Sequence, residues 1–261
     1  MMTLSKLLNG SQLISQIVAV VLLSLSLVQP ASLATEQVFS SGNEQTSLVE
    51  LFTSQGCSSC PPAERWLGKL QHDPRLWKEV VPVAFHVDYW DYIGWPDRFA
   101  SPLYSSRQRN YRVSGTLSSV YTPGLLLDGM EWRRWFRNRH VPENAAEAGG
   151  RLKVAVTDQT VEAVFDARSN AASATLHLAI LGFELWTDVG AGENDGKRLE
   201  HNFVVLGYDN GVMRSDGKIH SLAMALPETR FPSARYALAV WTTLNGQPQP
   251  VQATGGWLSA P

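Results

Sequence analysis

Two cysteines three positions apart, Cys57-Ser58-Ser59-Cys60, offer the most specific chemistry in this chain. Two intervening residues let the pair close a small disulfide ring. One thiolate can then attack a partner's sulfur while the other resolves the mixed disulfide. No other cysteine is present, which excludes a disulfide-rich scaffold and a four-thiolate zinc site. The surrounding sequence assigns the roles. An apolar run, Ser47 to Phe52, precedes the pair, and a helical pattern follows it. The N–H groups at the start of a helix favour a thiolate, so Cys57 is expected to be the nucleophile and Cys60 the resolving thiol. Pro61-Pro62 lack N–H groups and fit only a first helical turn, so the helix is expected to begin close to Cys60. Ser58-Ser59 add no cation, and thiolate stabilisation is expected to be weaker than in a motif with His between its cysteines. Two other uses of the pair stay open. One is a structural disulfide in a non-catalytic secreted binding protein, although so short a loop removes little chain entropy. The other is a copper(I)-thiolate carrier with His86 as the nearest further ligand. Thiol–disulfide exchange needs no organic cofactor, and no metal is assigned.

The elements that must position the pair alternate. Residues 47–52 and 80–87 read as buried strands. Residues 62–70 read as a helix with Ala63, Trp66, Leu67 and Leu70 at helical spacing, and residues 97–112 read as a helix interrupted or opened by Pro102. Gly124 to Leu127 reads as a third strand, Asp128-Gly129 as a hairpin turn, residues 131–136 as the returning strand and residues 142–149 as a short helix. That order is α/β. Beyond Gly149-Gly150 the periodicity changes. Strands are expected at 152–156, 161–165, 174–184, 199–208, 218–223, 235–243 and 249–254, separated by turn residues such as Asp209-Asn210-Gly211 and Asn245-Gly246. About seven strands without helices suggest a β-sandwich.

Other residues have a chemical and a plain reading. His86 and Asp88 end the second strand, at the sheet end where parallel α/β sites form, and either is a candidate for proton transfer during exchange. A loop packed by Trp90 and Trp95 is the plain alternative. Arg107, Arg109 and Arg112 read as a solvated helix face, and His201 as a structural histidine. There is no Gly-rich phosphate loop and no His-Glu-x-x-His or Gly-x-Ser-x-Gly motif.

Strand, Cys-x-x-Cys, helix, then Thr122-Pro123 ahead of an apolar strand and a turn resembles the thioredoxin fold. That resemblance implies a cis Pro123 facing the cysteines, with Thr122 and Pro123 presenting backbone to an extended substrate. A closer resemblance is to a bacterial secreted family catalogued as domain of unknown function 1223. It rests on Thr53-Ser54-Gln55-Gly56-Cys57-Ser58-Ser59-Cys60-Pro61-Pro62-Ala63-Glu64, on Phe85 to Asp91 with Gly94-Trp95, and on Tyr121-Thr122-Pro123. Gly192-Glu193-Asn194 and His201-Asn202-Phe203-Val204-Val205 complete it. It implies a thioredoxin-like fold and export, and supplies no reaction.

The organisation expected is thus a signal peptide (1–34), a linker (35–46), an α/β thioredoxin-like domain (47–150) and an all-β, β-sandwich-like domain (151–261). The apolar stretch from Ile17 to Val28 is shorter than the ~20 residues that span a bilayer, and Ser32-Leu33-Ala34 suits signal cleavage. The expected location is therefore periplasmic or secreted, without a membrane span after cleavage and in a compartment where a disulfide persists. With 44% hydrophobic residues, 18% charged residues and a net charge of −2, the chain is globular and not a nucleic-acid binder that works by bulk positive charge. The expected partner is a protein or small-molecule thiol or disulfide.

Overall fold

The computed structural model describes residues 36–144 and 146–259; the signal peptide expected over residues 1–34 lies outside the described residues. The described chain is dominated by strands. In order they are β1 (Gln37–Ser40), β2 (Ser47–Thr53), β3 (Val80–His86), β4 (Gly124–Leu127), β5 (Met130–Glu131), β6 (Gly150–Thr157) and β7 (Thr160–Ala167). There follow β8 (Ala174–Gly182), β9 (Leu185–Asp188), β10 (Arg198–His201), β11 (Val204–Val212), β12 (Arg214–Asp216), β13 (Ile219–Ala225), β14 (Tyr236–Leu244) and β15 (Pro250–Trp257). Two α-helices accompany them, α1 (Pro61–Gly68) between β2 and β3, and α2 (Pro102–Val113) between β3 and β4.

An eight-stranded sheet runs β15-β14-β8-β11-β3-β2-β4-β5, and a five-stranded sheet runs β1-β6-β7-β13-β12. This arrangement overturns the expected α/β thioredoxin-like domain followed by a separate β-sandwich-like domain. The strands after residue 150 complete the same sheet as those before it. The seam is β11 beside β3, with Val204 opposite Ala84 in parallel and the Ala84 amide donating to the Phe203 carbonyl at 2.8 Å. The sheet coils enough for β15 to reach β2: Gln252 accepts from the Thr46 amide at 2.9 Å, and one core joins Leu48, Leu51 and Phe85 to Leu181, Phe203, Ala239 and Trp241. The described residues accordingly form one compact unit. The ends of the described chain also meet, where Gln37 bonds the Trp257 carbonyl and the Ser259 amide.

Burial pattern explains which strand goes where. β2 and β3 are buried at every position, as parallel strands covered on both faces must be. β6 and β7 alternate buried and exposed residues, and their inner face packs Leu152, Val154, Val161 and Phe165 against Leu176, Leu178, Leu238 and Val240 of β8 and β14. Both helices open as their prolines require. Pro61-Pro62 form the first turn of α1, and Pro102 opens α2 behind Ser101, whose Oγ accepts from the Leu103 amide.

Several local expectations change. The stretch 35–46, read as a linker, contains β1, which pairs with β6. Residues 131–136 give only the end of β5 and then a 3-10 turn (Arg133–Phe136), and no helix forms over 142–149 among the described residues. The single strand expected at 199–208 is two strands in different sheets, β10 beside β9 and β11 beside β8 and β3. Phe203 divides them with a φ of 59°, a left-handed turn held by its buried ring against Phe183, 4.9 Å between centroids. Among the described residues, no helix is long and apolar enough to cross a membrane.

Candidate functional site

Cys57 and Cys60 are joined by a disulfide with Cα atoms 5.4 Å apart, in the loop from β2 to α1. Cys60 caps α1, and its carbonyl accepts the Ala63 and Glu64 amides at 2.9 and 3.1 Å. Free N–H groups facing Cys57, the expected source of thiolate stabilisation, are therefore largely spent. Pro61 and Pro62 have none, and the next two amides are occupied. The nearest charge has the opposite effect, since Glu193 Oε2 accepts the Ser58 amide at 2.8 Å and places a carboxylate at the tip of the ring.

Both cysteines are enclosed, Cys57 at 1% and Cys60 at 0% exposure, while Ser58 and Ser59 between them are exposed. A short 3-10 turn, Gly192–Asn194, straps the loop from above. The Asn194 side-chain amide donates to the Gln55 and Cys57 carbonyls at 2.8 and 3.0 Å. Trp90 and Ile93 close in from the side, where a Cβ on Gly56 would meet them tightly, at 3.2 and 3.1 Å.

Beneath the ring lies a buried cluster that the sequence reading did not assemble. Glu64, one helical turn beyond Cys60 on the inward face of α1, bonds Thr53 Oγ1 at 2.6 Å and His201 Nδ1. His86 Nδ1 meets Asp97 Oδ2 at 2.6 Å, and Asp97 also accepts the Gln55 and Phe99 amides. Gln55 completes the cluster through Thr187 Oγ1, Trp95 Nε1 and a 3.4 Å approach to His201 Nε2. Burial pushes Glu64 up, but His201 and then His86 outweigh it and hold the carboxyl at about 2. Burial likewise opposes the charge on Asp97 and on His86, but their mutual attraction prevails, lowering Asp97 and raising His86. Among the described residues, His86 Nε2 has no hydrogen-bond partner.

The remaining expected residues separate into two places. Thr122–Pro123 is a cis peptide bond, next to the Phe52–Gly124 rung of the β2–β4 ladder. Trp90 links it to the cysteine loop, packing on Gly56 and donating from Nε1 to Thr122 Oγ1 at 2.7 Å. Asp88 is turned away from the cluster, with its carboxylate bonded to Ser105 on α2. Arg107 is not on a solvated face. It is only partly exposed, with Nε 2.6 Å from Glu50 Oε1, beside a cleft of about 540 Å³ that also borders His177 and Tyr208. Gln55, Glu64 and Asn194 stood in the motifs that carry the family resemblance but were given no role, because partners such as His201, 137 positions from Glu64, are remote; Asp97, only 11 positions from His86, was read as the start of a helix. The one local signal was an acidic residue on the apolar stripe of α1, between Ala63 and Leu67.

Fold and site together define a β-rich protein whose main sheet draws strands from both halves of the chain and carries a Cys-x-x-Cys disulfide at a strand-to-helix junction. The chain belongs to the family described as protein of unknown function DUF1223, whose family model matches residues 48–243. It is similar to the crystal structure of protein AGR_C_4864 from Agrobacterium tumefaciens, at 25% identity over 83% of this chain and 95% of that chain, with a TM-score of 0.53. It also shares its fold with HBP35 of Porphyromonas gingivalis, at 12% identity over 84% of this chain and 76% of that chain, with a TM-score of 0.56. No curated protein matches the chain.

Proposed function

We propose that this is an exported protein, periplasmic or secreted, that carries out thiol–disulfide exchange through Cys57 and Cys60. The observation that carries the reading is the disulfide itself, closed between the last turn of loop after β2 and the cap of α1. In the reducing direction, the Cys57 thiolate attacks a partner disulfide and releases one partner thiolate. Cys60 then attacks Cys57 Sγ in the mixed disulfide, releases the second partner thiolate and closes the ring. Two electrons pass from the protein to the partner. Chain entropy argues against a purely stabilising role, because a four-residue loop yields only about 2 kcal/mol, against ~4.7 for a 100-residue loop. The Glu193 carboxylate at the ring tip opposes a thiolate in the loop and favours a reducing poise.

A structural disulfide is the second reading, and the enclosure of both cysteines favours it. Redox titration of the protein with thiol counting separates the two. Exchange predicts a midpoint potential in the range roughly −270 to −120 mV, toward the lower end, and preferential alkylation of Cys57 by limiting iodoacetamide after reduction. A potential below about −300 mV with equal, slow labelling of both thiols assigns the bond a structural role.

A further inference from the structure

The cluster beneath the disulfide has a feature that hydrogen bonding alone does not explain. His86 is 1% exposed, its Nδ1 is committed to Asp97, and its Nε2 has no partner. Either protonation state leaves that nitrogen unsatisfied, as a bare lone pair or as an undonated N–H. An unpartnered buried polar atom of this kind is destabilising. Glu64 and His201 provide the other two sides, so that one ligand atom from each of Glu64, His86 and His201 falls within 4.8 Å of the others.

We propose that Glu64, His86 and His201 form a binding site for a divalent first-row transition ion of the imidazole-preferring class, with zinc as the type ion. Three features of the donor set fit. Two imidazoles and one carboxylate with a fourth position open are a known zinc set, at bond lengths of about 2.1 Å. A tetrahedral ion then needs ligand atoms about 3.4 Å apart, against the 4.8 Å within which they now lie. Asp97 stands where a metal-bound histidine needs its outer carboxylate, accepting from Nδ1 and turning Nε2 inward. Charge also balances. With both imidazoles neutral, the ionised Glu64 and Asp97 supply two negative charges to a doubly charged ion, and any protons on the ring nitrogens leave as it enters.

This site is independent of the exchange reaction. The thiols are tied up in the disulfide and are not ligands, which also distinguishes it from a copper(I)-thiolate carrier. The test uses the protein as the cell produces it, disulfide closed, stripped with chelator and dialysed against micromolar Zn²⁺. The expected result is one zinc per chain, unchanged in the Cys57→Ser/Cys60→Ser variant and lost in His86→Gln. Asp97→Asn, which keeps an acceptor near Nδ1 but removes the charge, should weaken binding by about 10–100-fold. Co²⁺ should give visible d–d bands without a thiolate charge-transfer band. Should His86→Gln fail to fold, the wild-type stoichiometry and the cobalt spectrum still decide. No stoichiometric zinc in the wild-type protein, or uptake that disappears with the cysteines, overturns the proposal.

Discussion

A single turn residue shows how closely burial and charge are set against each other in this molecule. Asp128 sits at the tip of the β4–β5 hairpin with a φ of 51°, ahead of Gly129 at 76°, as a two-residue turn with both torsions positive requires. Its carboxylate accepts from the Leu48 amide, Ser47 Oγ and Asn144 Nδ2, yet burial outweighs those bonds and pushes it up to about 6. The unfolded chain therefore releases this proton first. The associated stability is fully present below the unfolded value near 4 and lost as pH rises through about 6. Asp128→Asn removes the titration. The stability of the variant relative to wild type should rise by up to about 3 kcal/mol between pH 4 and 7.5, measured as urea unfolding at each pH. The pH-dependent difference is the readout, so any constant loss of an acceptor does not affect it. A flat difference refutes the assignment. The turn was legible from Asp128-Gly129 alone. The ligation of its carboxylate was not, because Leu48 lies 80 positions away.

At the scale of elements, the strap Gly192–Asn194 is expected to limit access of a reductant to the disulfide. Asn194 makes two hydrogen bonds to the loop carbonyls, each contributing about 0.5–1.5 kcal/mol. Reduction from a briefly opened form predicts a rate that rises with dithiothreitol concentration and then levels off at the opening rate. Asn194→Ala should accelerate reduction roughly tenfold or more at low dithiothreitol, followed by thiol counting after acid quench. An unchanged rate means that the strap does not limit access. The elements themselves were read unevenly from sequence. β2, β3, β4 and both helices carry periodicity and proline signals that are purely local. The break between β10 and β11 was invisible, because Phe203 is neither glycine nor polar and its turn depends on Phe183 and Ala84. Gly149-Gly150 looked like a domain boundary. It marks the entry to β6, and a Cβ at Gly150 would lie 2.4 Å from the Asp166 carbonyl, so close strand pairing accounts for the glycine.

Over the whole molecule, the shared sheet makes the two halves one folding unit. Phe85 and Trp241 lie in one core, and removing either side of residue 150 exposes it. Urea unfolding followed by tryptophan fluorescence and by far-ultraviolet circular dichroism should therefore give coincident single transitions. Fragments 47–150 and 151–261, produced separately, should show no cooperative transition. A folded, cooperative fragment would restore the two-domain organisation.

The meeting of the chain ends has a consequence in time. Thr46 bonds Gln252, and Gln37 bonds residues 257 and 259, so the segments around β1 and β2 complete their contacts only with residues more than 200 positions later. A nascent chain that has extended as far as α2 holds β2 and β3 but lacks β11 on one side and β15 across the core. Such long-range pairing delays folding relative to local collapse, and exposed strand edges persist until β11, β14 and β15 have been made. The cysteine loop likewise acquires its strap at residues 192–194 only well after both cysteines have emerged.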